Sequence, residues 1–190
     1  MRMFVALQPP PDAVEHLDRF LDVRRATAAF RWSPPEQFHV TLAFLREVPD
    51  RTLDDLVEGL AHAAARRTSF GTGLAGGGAF PDAARARVLW AGLDLSAPGR
   101  TELDRLATGA RAAANRAGVT VDGQRFRPHV TLARIGHAQD VTDWARLLDT
   151  YRGPAWRADR ITLVASHLGE GPRGRPRYEP VEAFALAGWS

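Results

Sequence analysis

The sequence contains the pentapeptide His-Val-Thr-Leu-Ala twice, at 39–43 and at 129–133. Each copy lies in a run typical of a β-strand, in which residues i and i+2 point to the same side. The histidine and the threonine of one copy therefore share a face. If the two copies face each other, two imidazoles and two hydroxyls converge on one cleft.

That constellation suits phosphoryl chemistry. Imidazole has an ordinary pKa of about 6.5, so it can donate or accept a proton near neutrality. His39 and His129 on opposite sides of a phosphorus would activate water and protonate the leaving oxygen, while Thr41 and Thr131 would bind the non-bridging oxygens. A single His-x-Thr would be read as an ordinary pair on a sheet face. Two identical copies at equivalent places in a repeat favour a function.

The elements that must position these residues recur in order. Each half of the chain reads strand, helix, His-Val-Thr strand, helix, strand. The predicted strands are 3–7, 38–45, 70–74, 88–93, 129–135, 161–167 and 181–186, and the predicted helices begin near 12, 50, 101 and 144. We predict an α+β fold with two pseudo-twofold-related lobes, each a mainly antiparallel sheet with helices on its outer face, and the His-x-Thr strands facing a central cleft. No linker separates the halves, so residues 1–190 are expected to form one two-lobed domain.

Regular alternation along 38–45 has a consequence for the neighbours of the first motif. It sets Ala43 on the face of His39 and Thr41, and it sets Phe44 on the opposite face. The Phe44 ring would either contact a base or pack in the core, and the core is favoured. The glycines at 76–78 predict a turn after the weak strand 70–74.

Composition excludes several classes of function. The chain has 190 residues, 45% of them hydrophobic and 25% charged, which is ordinary for a globular domain. It has no cysteine, so thiolate metal sites and cysteine nucleophiles are excluded. All 25 basic residues are arginine, so no phosphate-binding loop with its lysine can exist, and the net charge of +3 implies no general polyanion surface. We expect a cytoplasmic monomer with no membrane segment, no metal and no cofactor.

Further segments carry a resemblance to a known family. They are 4–7, 38–45, 78–81, 88–92, 127–134, Tyr178 and 184–186. With these, the chain resembles the two-histidine (2H) phosphoesterase superfamily, and within it the RNA 2′,3′-cyclic phosphodiesterases, also called the 2′–5′ RNA ligase family. The resemblance extends over nearly the whole chain.

The resemblance implies metal-independent hydrolysis of a terminal RNA 2′,3′-cyclic phosphate to a 2′-phosphomonoester. It implies that His39 donates a proton to the leaving 3′ oxygen and that His129 accepts one from water. Thr41 and Thr131 would hold phosphate oxygens, and Arg134 matches a phosphate-binding arginine of the family. The implied partners are RNA ends or nucleotides that carry a 2′,3′-cyclic phosphate.

Three features qualify this expectation. Arg134 lies five positions after His129, so regular alternation puts it on the opposite face, and it needs a bend at the strand end to reach the cleft. Arg46 stands where the family usually has a small residue, which would change the rim of the site. The arginine-rich loop 169–177 would either contact RNA or lie solvated.

Other readings stay open at this point. The same site could ligate RNA ends in a 2′–5′ linkage or hydrolyse small cyclic nucleotides. A non-catalytic module could bind RNA or nucleotide phosphate at the paired motifs. A metal hydrolase could use His39 and His129 as ligands, and sensitivity to a chelator would distinguish it.

Overall fold

The computed structural model describes residues 1–188. The helices are α1 (Pro11–Arg25), α2 (Leu53–Ala65), α3 (Ala97–Arg116) and α4 (Thr142–Asp149). The strands are β1 (Met3–Leu7), β2 (Arg31–Trp32), β3 (Val40–Leu45), β4 (Phe70–Phe80), β5 (Ala86–Asp94), β6 (Val130–Gln139), β7 (Arg152–Ala158), β8 (Arg160–His167) and β9 (Arg177–Ala185). Within residues 1–188 no helix is long and apolar enough to cross a bilayer.

The strands form one sheet in the order β7-β4-β5-β6-β3-β1-β8-β9, with β2 added to the edge of β6. Every pairing between these strands is antiparallel. The two motif strands, β3 and β6, are neighbours at the centre and meet only at Val40 and Val130. That single pair joins a lobe of β3, β1, β8 and β9 to a lobe of β6, β5, β4 and β7, which confirms the α+β, two-lobed expectation.

The two lobes do not coincide with the two halves of the sequence. Strand β4 follows the first motif in the chain, yet it pairs with β5 and β7 of the second lobe. Strands β8 and β9 close the chain, yet β8 pairs with β1 of the first lobe. The helices also pack on strands of the other half of the chain. Helix α1, from the first half, packs on β7, and helix α3, from the second half, packs on β3. Strand β7 was not predicted from the sequence.

The helices cover one face of the sheet and leave the other face open. The main core forms beneath the helices and is continuous through both lobes, with fully buried residues such as Leu17, Leu60, Leu89 and Leu103. A second, small apolar cluster lies apart from it. Its members come from β1, β3, β8 and β9: Phe4, Ala6, Val164, Phe44 and Tyr178. This cluster is the floor of the open face in the first lobe.

Both motif strands carry the same irregularity directly after the threonine. In the pairing of β1 with β3, Ala6 is opposite Thr41 and Val5 is opposite Ala43, so Leu42 has no partner. The pairing of β5 with β6 leaves Leu132 unpaired in the same way. Such a bulge shifts the alternation of side chains by one residue.

The bulges correct two predictions made from regular alternation. Ala43 is fully buried and Phe44 is half-buried, so Phe44 lies on the open face, where it packs on the second apolar cluster and not in the main core. Arg134 is exposed between the buried Ala133 and Ile135. It lies on the face of Thr131 because of the bulge in mid-strand, and no bend at the strand end is needed.

The glycines at 76–78 lie inside β4, so the predicted turn is wrong. They allow other groups to approach the strand closely. A Cβ atom on Gly77 would lie 2.5 Å from the carbonyl oxygen of Trp90, and one on Gly78 would lie 2.7 Å from the indole ring of Trp90. The strand thus needs glycine where the Trp90 ring packs across it.

Candidate active site

The two His-Val-Thr segments meet at the centre of the open face. An antiparallel pair centred on Val40 and Val130 sets His39 beside Thr131 and His129 beside Thr41. The imidazoles therefore lie on adjacent strands about a local twofold axis. Each histidine has the threonine of the other copy as its cross-strand neighbour.

Aromatic side chains and a hydroxyl fix the ring of His39. It stacks on Phe4, with 4.6 Å between ring centroids, and it meets Tyr178 edge-on at 5.6 Å. Its Nδ1 lies 2.6 Å from the carbonyl oxygen of Gln37, and its Nε2 lies 3.1 Å from Oγ1 of Thr41. The ring is held at both nitrogens.

His129 is held in the corresponding way by the second lobe. Its Nδ1 lies 2.6 Å from the carbonyl oxygen of Arg127, two residues earlier. The ring meets Phe80 edge-on at 4.9 Å, and Phe80 stacks on Trp90 at 5.2 Å. The two copies thus share the hydrogen bond to a carbonyl at i−2 and an aromatic neighbour.

These carbonyl bonds decide the tautomer of both imidazoles. A carbonyl oxygen can only accept, so Nδ1 must carry the proton in both rings. In the neutral state each Nε2 is then an acceptor, and in the charged state it becomes a donor. Both histidines therefore have Nε2 as the nitrogen that can exchange a proton with a ligand.

The surroundings favour the neutral form of both imidazoles. Burial lowers the pKa of His39 to about 4; the Gln37 carbonyl opposes this, and the charges of His129 and Arg134 lower the pKa further. Burial also lowers the pKa of His129, with the Arg127 carbonyl opposing and the charge of Arg134 adding to the effect. A nearby anion would act in the opposite direction.

A cavity of about 580 Å³ brings together four of the five predicted site residues. His39, Thr41, Thr131 and Arg134 line it. His129 is absent from the lining, although its charge acts on His39. The volume is within the range of roughly 300–1,000 Å³ typical of small-molecule pockets.

Three residues of this cavity were missed by sequence reasoning: Arg2, Arg31 and Ser166. No local pattern marks them, because they come from the start of the chain, β2 and β8 and meet only in the folded sheet. Phe44 and Tyr178, which the sequence did single out, line the cavity too, and Tyr178 also lines a second cavity of about 400 Å³ beside His39.

The loop 169–177 supplies one wall of the cavity, through Gly169, Gly174, Arg175 and Pro176. Nε2 of Gln37 donates to the Pro176 carbonyl at 2.9 Å. Since the Gln37 carbonyl also binds His39, one residue ties this loop to the imidazole. Arg46 lies elsewhere: it is 74% exposed, 3.7 Å from Asp122, and not at the rim of either cavity.

The donor set offers little to a metal ion. Among residues 1–188, no three His, Asp or Glu side chains converge on one point. A zinc site usually has three or four protein ligands, and the two imidazoles have no carboxylate beside them to complete one.

Comparison with known proteins agrees with this geometry. The sequence model of the LigT-like phosphoesterases matches the chain twice, over residues 7–90 and 93–173. The RNA 2′,3′-cyclic phosphodiesterase of Thermus thermophilus is 32% identical over 99% of this chain and 91% of its own length. That of Geobacillus stearothermophilus is 30% identical over 97% of this chain, which spans only 57% of that relative's length.

The solved structure of a relative gives the same result for the fold. The crystal structure of Escherichia coli LigT complexed with 3′-AMP superposes with a TM-score of 0.76 and 28% identity, over 97% of each chain. The double match of the family model corresponds to the two motif-bearing repeats. By its sequence, its two-repeat fold and its paired His-x-Thr strands, this chain belongs to the LigT-like phosphoesterase family.

Proposed function

We propose that this protein is an RNA 2′,3′-cyclic phosphodiesterase that converts a terminal cyclic phosphate into a 2′-phosphomonoester. The observation that carries the proposal is the paired imidazole geometry. Two histidines on adjacent central strands have the same Nδ1 bond to a carbonyl, so Nε2 is the proton-exchanging nitrogen of each ring, and in His39 it meets the hydroxyl of Thr41. Relatives named as RNA 2′,3′-cyclic phosphodiesterases support the choice of substrate.

In the proposed reaction, water attacks the phosphorus opposite the 3′ oxygen. The bond between phosphorus and the 3′ oxygen breaks, and the 2′ oxygen stays attached. Nε2 of His129 accepts a proton from the attacking water, and Nε2 of His39 donates a proton to the leaving 3′ oxygen. Each turnover thus moves one proton onto His129 and one off His39, and exchange with solvent restores both.

Three side chains are proposed to bind the phosphate. The hydroxyls of Thr41 and Thr131 donate to the non-bridging oxygens, whose negative charge grows in the transition state. Arg134, which the bulge in β6 sets on the cleft face, adds a charge-assisted bond. No residue in this set needs a metal ion to act.

Substrate binding has to raise the pKa of His39 before this imidazole can act as the general acid. In the unliganded protein this imidazole is neutral near pH 7, since its pKa is about 4. A phosphate anion placed between Arg134 and the imidazoles offsets the repulsion by the arginine and raises the pKa. The general acid is therefore charged only in the complex.

The test is a short RNA that ends in a 2′,3′-cyclic phosphate, incubated with the protein in excess EDTA. We expect a 2′-phosphate as the product, which identifies both the leaving oxygen and the absence of a metal requirement. A product formed only without EDTA would favour the metal hydrolase, and an unchanged RNA would favour a binding module.

Variants assign the roles. His39→Ala and His129→Ala should each lower kcat by roughly 10²–10⁴-fold, the usual contribution of general acid–base groups. Thr41→Val and Thr131→Val should cost about 10²–10³-fold at most, the value of one oxyanion-type donor. His62→Ala, on the exposed side of α2, is the matched control and should keep full activity. Full activity in both His39→Ala and His129→Ala would refute the mechanism.

A further inference from the structure

The larger cavity carries more positive charge than one phosphate requires. Four arginines line it: Arg2, Arg31, Arg134 and Arg175. Within residues 1–188, none of the four forms an ion pair or a side-chain hydrogen bond, and no Asp or Glu lines this cavity. Arg177, in the neighbouring loop, differs because Glu170 and Glu179 bind it at 2.8 and 3.0 Å.

Two of these arginines are direct cross-strand neighbours. Arg31 on β2 is the register partner of Arg134 on β6, so both side chains project from the same face of the sheet. Like charges directly opposite each other destabilise an antiparallel pair. Anions bound beside these two guanidinium groups offset that repulsion, and each planar guanidinium can bind phosphate oxygens in a fork.

Arg2 adds a third positive charge to the cavity that Arg31 and Arg134 line. Its guanidinium lies 4.5 Å from the centre of the Phe44 ring, which the bulge in β3 turns to the open face. Burial raises the pKa of the Tyr178 hydroxyl, and the charges of Arg134 and Arg2 both oppose that rise. Arg134 and Arg2 thus both lie within electrostatic reach of Tyr178.

We propose that Arg2 and Arg31 form a second anion site, beside the phosphate site of Arg134, which binds the 5′-phosphate of the terminal nucleotide. The inference rests on the proposed function for the identity of the ligand. A nucleotide whose 2′ and 3′ oxygens are both held in a cyclic phosphate can continue only through its 5′ oxygen. The next anion along the substrate is therefore the 5′ phosphodiester, and this site makes oligonucleotide ends better ligands than cyclic mononucleotides.

Binding of products tests this without the need for turnover. Adenosine 2′-monophosphate carries only the phosphate that the reaction would form, and adenosine 2′,5′-bisphosphate adds the 5′-phosphate. By titration calorimetry at low salt, the wild-type protein should bind the bisphosphate at least about tenfold more tightly, as expected for added charge-assisted hydrogen bonds.

Arg2→Gln and Arg31→Gln should each reduce that preference to about threefold or less while circular dichroism stays unchanged. Arg116→Gln removes the same charge from an exposed position at the end of α3 and should keep the full preference. With a trinucleotide that ends in a 2′-phosphate, the salt dependence of binding should flatten by about 0.7 in log–log slope for each arginine removed. Equal affinities of wild type for the two adenosine phosphates, or a full preference in either variant, would overturn the inference.

Turnover by wild type of the short RNA that ends in a 2′,3′-cyclic phosphate separates this inference from the proposed function. If the bisphosphate preference depends on Arg2 and Arg31 but no cyclic phosphate is hydrolysed, the proposed function fails and the second anion site stands. If the cyclic phosphate is hydrolysed and the preference is absent, the second anion site is wrong and the proposed function stands.

Discussion

Anion binding in the cleft should raise the pKa of His39, and this is the most direct physical consequence of the site. The unliganded pKa is about 4 because the imidazole is buried and because His129 and Arg134 repel its charge. A tetrahedral anion bound at Thr41, Thr131 and Arg134 adds a negative charge that reverses the electrostatic part of this effect.

The size of the pKa change lies between no change from the unliganded value and a complete return to the ordinary value of imidazole. At pH 6 a group with a pKa of about 4 is about 1% protonated, whereas at its ordinary value of 6.5 it is about 75% protonated. A complete return to 6.5 corresponds to about 3 kcal/mol, at about 1.4 kcal/mol per pKa unit. Affinity for the anion should accordingly increase as the pH falls from 6.5 toward 4, since protonated His39 binds it better.

The assay is a pH titration of the histidine ring signals by NMR, with and without saturating sulfate, an anion whose charge stays constant in this range. The spectrum of His39→Gln identifies the signal. Arg134→Gln should raise the midpoint of His39 in the unliganded protein, because it removes one source of repulsion, and Arg116→Gln should leave the midpoint unchanged. If sulfate shifts the amide signals of Thr131 and Arg134 but leaves the midpoint of His39 unchanged, the reasoning is refuted.

The same pKa has an opposite consequence for folding. The unfolded chain binds a proton at His39 more readily than the folded protein does, because the folded pKa is the lower one. The stability associated with neutral His39 is therefore complete above about pH 6.5 and is lost as the pH falls toward 4, up to about 3 kcal/mol. Urea unfolding of wild type should show this loss in that range, and His39→Gln should show a smaller one.

Two substitutions test the packing that supports the site. Gly78→Ala brings a Cβ atom to 2.7 Å from the Trp90 ring and should lower the free energy of urea unfolding by about 1–3 kcal/mol. Gly71→Ala is the control in the same strand, because its Cβ atom meets nothing within 4 Å. Equal costs for the two substitutions would contradict this account. Tyr151→Phe removes the hydroxyl that lies 2.9 Å from Nδ1 of His16 and should lower the free energy of unfolding by about 1 kcal/mol, with no change in turnover. Unchanged stability would mean that this contact between α1 and the end of α4 contributes nothing.

The sequence determined the chemistry of the site and the elements that carry it. The repeated pentapeptide contains both imidazoles and both hydroxyls, and alternation places each His-Thr pair on one face of its strand. These are local properties, because they depend only on the spacing of residues along one strand. The same is true of the helices, whose apolar faces show in their spacing and whose positions agree with the structure to within a few residues.

The tertiary structure decided which other residues meet those imidazoles. A bulge exists only relative to a partner strand, so the positions of Phe44 and Arg134 depend on how β3 and β6 pair with β1 and β5. The placement of β4 in the second lobe is likewise a matter of pairing between distant segments. Arg2 and Arg31 line the cleft for the same reason: nothing in the local sequence distinguishes them from the other arginines, and only the assembled sheet brings their charges to one cavity.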